Sequence, residues 1–144
     1  MNGNEPAQWE EARLWLAKAA EDLASARLLL SAFMLPAAAF HTQQATEKAL
    51  KTLLVAAAQD VRRVHDIVEL AVLARPYWPD LLPMPFPLAV VSHWYMTTRY
   101  PGVDQQLPGW AEIGEALAQI ESLIRAITDH ITAMANKTDK GSCR

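Results

Sequence analysis

The sequence predicts an all-α protein, an antiparallel up-and-down bundle of four long helices with one extra short helix. Of the 144 residues, 51% are hydrophobic and only five are glycine. Alanine and leucine are abundant, and this composition favours helices over strands. Apolar residues recur at steps of three and four, the period of an amphipathic helix. No internal repeat is visible, so we expect one domain over residues 1–144, with a core at about 7–136 and a flexible tail at 137–144.

The first helix is predicted from about Ala7 to Phe33. Trp15 and Phe33 are expected to widen its core stripe on one side. The stripe itself alternates steps of four and three and consists of Ala12, Leu16, Ala19, Leu23, Ala26 and Leu30.

A second apolar ridge lies well round the same helix, at Leu14 and Leu28, with alanines nearby. It consists either of scattered surface hydrophobic residues or of a homodimer contact. Asp22 borders the core stripe, where it is either a solvated carboxylate or a group at the edge of a cleft.

The second helix is predicted to open at Pro36 and to end near Ala58. One face is apolar, and the opposite arc is polar, with His41, Gln43, Gln44, Glu47, Lys48 and Lys51. Glu47 precedes Lys51 by four residues, the favoured order for a helical ion pair. This arc is either a solvated face or a surface that meets a nucleotide, an RNA or a second protein.

The connector from Gln59 to His65 holds the most basic stretch of the chain, Arg62 and Arg63. Asp66 is expected to cap a short third helix that runs through Ala74. Five prolines between residues 75 and 87 exclude a helix there, and the apolar residues among them predict an ordered loop packed over the bundle.

The fourth helix is expected from Leu88 to about Thr98, where proline and glycine follow closely and end it. It should bury Val90, Val91 and Trp94. Trp110 opens the last helix, and the chain should become a polar, fraying tail from Asn136. The core positions of this last helix are predicted to be Ile113, Leu117, Ile120, Ile124, Ile127, Ile131 and Met134.

Four sequence pieces, in order, resemble the HEPN family, small all-helical domains of prokaryotes and higher eukaryotes. They are W-L-x-K-A-x-x-D-L-x-x-A-x-x-L-L from Trp15 to Leu30, H-x-Q-Q-A-x-E-K-A-L-K from His41 to Lys51, His65-Asp66, and Tyr95 with Arg99-Tyr100-Pro101. The resemblance spans roughly residues 9–134 and also implies a homodimer.

The sequence departs from the family at one position that bears on catalysis. In HEPN proteins that cleave RNA, an arginine at the position of Arg99 is followed four to six residues later by a histidine. Here the window holds Asp104, and no histidine follows before His130. A metal-independent ribonuclease toxin using Arg99 therefore needs another proton carrier, for which Tyr100, Tyr95, His93 and His41 are candidates.

The Arg99-Tyr100-Pro101 sequence instead resembles the R-Y-P subgroup of small prokaryotic HEPN proteins, which are similar to the helical domain of kanamycin nucleotidyltransferase. This resemblance implies a non-catalytic nucleotide-binding module, or the partner of a minimal nucleotidyltransferase, in a toxin–antitoxin-like or stress-response role. A purely structural protein-interaction domain is a third hypothesis. The expected nucleotide- or partner-binding residues are Gln44, Glu47, Lys48, Lys51, Arg99 and Tyr100.

Other function classes find little support in the sequence. The net charge of −3 provides no global basic field for nucleic acid, although a local patch is compatible with it. Cys143 is the single cysteine, and the histidines lack metal-binding spacing, so no metal or cofactor is expected. The polar N-terminus and the absence of a long apolar run predict a soluble, cytoplasmic protein without a membrane span.

Overall fold

A computed structural model describes residues 7–61, 63–82, 88–97 and 107–142. Across these ranges the chain is all-α and contains no strand, which confirms the predicted fold class. Its five helices are α1 (Ala7–Ser31), α2 (Leu35–Ala56), α3 (Ile67–Ala74), α4 (Leu88–Thr97) and α5 (Trp110–Ser142).

The pairing of α1 with α2 is the most extensive contact of the bundle. The two helices lie close together because alanines occupy the facing positions and leave room for the two backbones to approach. Ala12, Ala19 and Ala26 of α1 and Ala45 and Ala49 of α2 are completely buried. The predicted stripe of α1 is confirmed, with Leu16 at the partly buried edge of the core.

Helix α2 occupies the centre of the bundle. Fifteen of its 22 residues are buried, because it contacts α1, α3, α4 and α5. Its central position also buries threonines, and their hydroxyl groups form hydrogen bonds within the helix itself. The Thr42 hydroxyl donates to the Ala38 carbonyl at 2.7 Å, and the Thr46 hydroxyl donates to the Thr42 carbonyl at 2.8 Å.

Both long N-terminal helices end through a residue in the left-handed region, a conformation that usually selects glycine. These residues are Phe33, with φ 58°, and Ala58, with φ 60°. Phe33 therefore leaves the helical path, and α1 ends earlier than predicted. The expectation that Phe33 widens the core stripe is wrong, since it is 72% exposed. Its ring instead stacks on Trp110, with centroids 6.3 Å apart.

Asp66 caps the short helix α3 as predicted. Its carboxylate accepts a hydrogen bond from the Val68 amide at 2.8 Å. The loop that follows packs on the bundle over its described part, residues 75–82. Trp78 donates its indole N–H to the Leu53 carbonyl at 2.8 Å, and Leu82 is buried. The rest of the proline-rich stretch lies outside the described residues.

Helices α4 and α5 complete the bundle. Val91 and Trp94 are buried as predicted, but Val90 is 41% exposed, because it lies a quarter turn from Val91, away from the core. The predicted core positions of α5 are buried except Met134, which is 40% exposed. Helix α5 also continues to Ser142, so the predicted end at Asn136 is wrong. Polar residues permit a helix to propagate when no proline stops it.

Helix α5 runs antiparallel to α1. Its first residue, Trp110, stacks on Phe33, two residues beyond the C-terminal end of α1, and further along α5 Glu121 pairs with Arg27. Among the described helices, none is long and apolar enough to cross a membrane.

Candidate functional site

The polar arc of α2 lies largely inside the protein, because α1 crosses over it. Gln43, Glu47 and Lys51 are at most 6% exposed. The interpretation of this arc as a solvated face is therefore wrong. Burial of charged groups is costly unless each finds a partner, and the arc is accordingly organised into two ionic clusters.

The first cluster joins α1 to α2 through Asp22, which is also buried rather than solvated. One carboxylate oxygen of Asp22 bonds His41 Nδ1 at 2.8 Å, and the other accepts from Lys48 Nζ. His41 and Lys48 are seven residues apart on α2, so they lie on the same face two turns apart and can reach one carboxylate from both sides.

The first cluster orients the ring of a histidine that remains partly accessible. A carboxylate accepts hydrogen bonds, so Nδ1 of His41 must carry the proton in this contact. In the neutral ring, Nε2 is then the acceptor. The side chains of His41, Lys48 and Asp22 are 32%, 23% and 12% exposed. An oriented imidazole of this kind can move a proton to or from a bound group.

The second cluster lies one helical turn further along α2. Lys51 Nζ is 3.6 Å from Glu47 Oε2, which confirms the predicted ion pair, and both side chains are buried. Lys51 also lies 3.4 Å from His65 Nδ1 and 5.1 Å from the centre of the Trp15 ring on α1. The same nitrogen of His65 lies 3.6 Å from Glu47 Oε1, so the imidazole faces both the ammonium group and the carboxylate.

The residues that were predicted to form one site belong to two separate clusters in the structure. Lys48 turns toward Asp22, whereas Glu47 and Lys51 turn toward His65 and Trp15. Gln44 is partly buried and donates to the Gln43 side chain at 2.7 Å. The remaining predicted binding residues, Arg99 and Tyr100, lie outside the described residues.

Sequence reasoning underestimated Asp22, His65 and Trp15 as members of these clusters. A signal was present, because Trp15 and Asp22 are also seven residues apart, the same interval as His41 and Lys48. An interval of seven places the two residues of each pair on one face of their own helix. The sequence did not show that the two faces meet.

The remaining histidines do not join these clusters in the described structure. His93 is exposed on α4, and the His130 ring packs edge-on against Trp78 at 5.5 Å. Among the described residues, no group of three or more histidine, cysteine or acidic side chains is placed to hold a metal ion.

A cavity of about 320 Å³ lies at the end of α2, away from both clusters. Its lining is mixed polar and apolar, and it contains none of the residues predicted to bind a ligand. The residues that line it are Gln8, Glu11, Val55, Ala58, Gln59, Asp60 and Val61.

Comparison with known proteins found a protein family and a solved structure to which this chain is similar. Residues 12–131 match the family model of the HEPN domain. A crystal structure of TT1696 from Thermus thermophilus is similar, with 30% identity and a TM-score of 0.63. The match covers 82% of this chain and 96% of that one. No match was found among curated proteins.

Proposed function

The chain belongs to the HEPN domain family, and on that premise we propose that it acts by binding a protein partner, a minimal nucleotidyltransferase, in a toxin–antitoxin-like or stress-response pair. The observation that carries this proposal is the state of the polar arc. Lys48 and Lys51 are the two cations of this arc that a nucleotide phosphate would contact, and both are held by carboxylates inside the α1–α2 interface.

Phosphate binding by these lysines would require breaking those contacts. Lys51 has a side chain that is only 3% exposed, so a phosphate would have to displace Glu47 and open the helix pair. The outer surface, in contrast, carries large apolar side chains suited to protein contact. Examples are Leu14, Leu28, Phe33 and Val72, each at least 62% exposed.

The test is reconstitution with a minimal nucleotidyltransferase encoded in the same genome. The two proteins are co-expressed and analysed by size-exclusion chromatography with light scattering, and we expect a stable complex of defined stoichiometry. Calorimetric titration of the chain alone with ATP and GTP is the companion measurement, and we expect no saturable heat. Saturable nucleotide binding without a protein complex would refute the proposal in favour of a nucleotide-binding module.

A ribonuclease is the second candidate, and the Asp22–His41 contact is the observation that favours it. Nε2 of His41 can accept the proton of a ribose 2′-hydroxyl, whose oxygen then attacks the adjacent phosphorus. The 5′-oxygen leaves and takes up a proton from water, and the products are a 2′,3′-cyclic phosphate and a 5′-hydroxyl. Cleavage of RNA in EDTA that is lost in both His41→Gln and Arg99→Ala would establish this function and displace the binding proposal.

The hypothesis of a purely structural interaction domain cannot be tested by substituting Lys48 and Lys51. Because these lysines hold the helix pair together, their loss would report on folding rather than on binding. Exposed residues are the better probes. A partner complex that survives every exposed charge substitution, together with no activity in the complex, would favour the structural role.

A further inference from the structure

The cavity at the C-terminal end of α2 is separate from both ionic clusters and from the residues that the proposed function uses. Its volume of about 320 Å³ lies at the lower end of the range for small-molecule pockets, roughly 300–1,000 Å³. Residues near the start of α1 form one wall, and the end of α2 with the segment that follows it forms the other. The cavity is therefore large enough to hold a small organic molecule.

The apolar part of the lining is fixed in place by packing and by the closing turn of α2. Val55 and Val61 are 4% and 3% exposed, so the core holds both side chains. In the turn between them, the Ala58 N–H donates to the Val55 carbonyl at 2.9 Å. The Gln59 N–H donates to the Leu54 carbonyl at 2.9 Å as well. This wall is thus formed before a ligand arrives, which lowers the entropic cost of binding.

The polar part of the lining favours a positively charged group. It consists of two carboxylates, Glu11 and Asp60, and two side-chain amides, Gln8 and Gln59, and no lining residue carries a positive charge. Gln8 and Glu11 are three residues apart on α1, so they lie on the same face one turn apart. Asp60 has a contact of its own, whereas Glu11 forms no ion pair within the described part of the chain. Glu11 is therefore the charge that a ligand would neutralise.

We propose that this cavity binds a primary alkylammonium group carried on a short apolar chain. The ammonium group donates to the Glu11 carboxylate and to the amide oxygen of Gln8, and the methylene groups pack on Val55 and Val61. A metal ion is a poorer match, because no group of three histidine, cysteine or acidic side chains is placed to hold one among the described residues. The alkylammonium group has two possible sources, a free aliphatic diamine and the lysine side chain of another protein.

The test is calorimetric titration of the full chain with the diamine putrescine at low ionic strength, where exposed charges are least screened. Glu11→Gln is the informative variant, and Glu10→Gln is its matched control. Both are exposed glutamates near the start of α1, so each change removes one negative charge from the same end of the helix. Of the two, only Glu11 lines the cavity.

We expect saturable binding of putrescine by the wild type, with a Kd on the order of 1 mM. Glu11→Gln should weaken it about tenfold or more, because it removes the charged acceptor of the ammonium group. Glu10→Gln should change the Kd by less than about twofold. Butanediol with terminal hydroxyl groups, the neutral analogue of putrescine, should give no saturable heat.

A lysine derivative blocked at its α-amino and carboxyl groups distinguishes the two sources. Tighter binding of putrescine would assign the cavity to a free diamine, and equal or tighter binding of the blocked lysine would assign it to a protein side chain. Gln59→Trp provides a steric test at an exposed position, and it should abolish binding while the circular dichroism spectrum stays that of the wild type. No saturable binding of either amine, or equal weakening by Glu11→Gln and Glu10→Gln, would overturn the proposal.

Discussion

Replacement of Asp22 by alanine should be among the most destabilising changes available at a polar residue of this protein. The carboxylate is the shared partner of His41 and Lys48, and its loss leaves a partly buried ammonium group without its acceptor. Hydrogen bonds to charged groups contribute roughly 1.5–3 kcal/mol each. The His41 and Lys48 side chains are 32% and 23% exposed, so water replaces part of that contribution.

We therefore expect Asp22→Ala to lower the free energy of unfolding by about 2–3 kcal/mol. For a domain of this size, that corresponds to a fall of roughly 6–12 °C in Tm. Asp22→Asn keeps the shape and can still accept from Lys48, so its cost should be about 1 kcal/mol. Urea denaturation followed by far-UV circular dichroism measures all of these free energies.

Glu115→Ala is the control for the loss of a carboxylate, because Glu115 is exposed in the second turn of α5. Its effect should lie within about 0.5 kcal/mol of zero. A double-mutant cycle with Lys48→Ala should give a coupling energy of at least about 1 kcal/mol. If Asp22→Ala were no worse than Glu115→Ala, the ionic cluster would not stabilise the α1–α2 pair, and the reasoning would be refuted.

Three further changes test other parts of the fold by the same unfolding measurement. Lys51→Ala should cost about 2–4 kcal/mol, since it leaves a void and deprives buried Glu47 of its cation, whereas Lys51→Met, which keeps the stem, should cost less; equal costs would assign the whole effect to charge. Ala58→Gly should raise stability by up to about 1 kcal/mol, because glycine adopts a positive φ without a Cβ clash, and a loss would contradict the observed turn. Asp66→Ala should cost about 1 kcal/mol through loss of the cap on the Val68 amide, while Asp66→Asn should retain most of it.

The presence of each long helix was predictable because the spacing of its apolar residues shows which face of the helix is buried. The steps of three and four in α5 identify Ile113 through Ile131 without reference to any neighbour. Breakers such as Pro36 and caps such as Asp66 likewise act locally, so their positions were predicted closely. The least accurate boundaries were those where no breaker stands, at Asn136 above all.

The polar face of α2 could not be interpreted in the same way. Periodicity shows which residues of one helix are alike, but it does not show how many neighbours surround that helix. An outer helix would have left Gln43, Glu47 and Lys51 in water, whereas a central helix buries them. The ionic clusters depend on that placement. Their partners on α1 and in the connector follow from tertiary packing, which one sequence does not encode as a local pattern.

Because α2 is central, the helices of this protein should differ in how readily their backbone amides become accessible to solvent. An amide in α2 can exchange its hydrogen with solvent only after several surrounding helices have moved away. Its exchange should therefore follow global unfolding. Helix α3 has eight residues and exposes Val68, Val72 and Leu73, so its amides should exchange through smaller, local openings. Deuterium uptake should then be slow in α2 and faster in the outer helices. A partner that binds the outer helices would be detected first as slower uptake at those fast-exchanging amides.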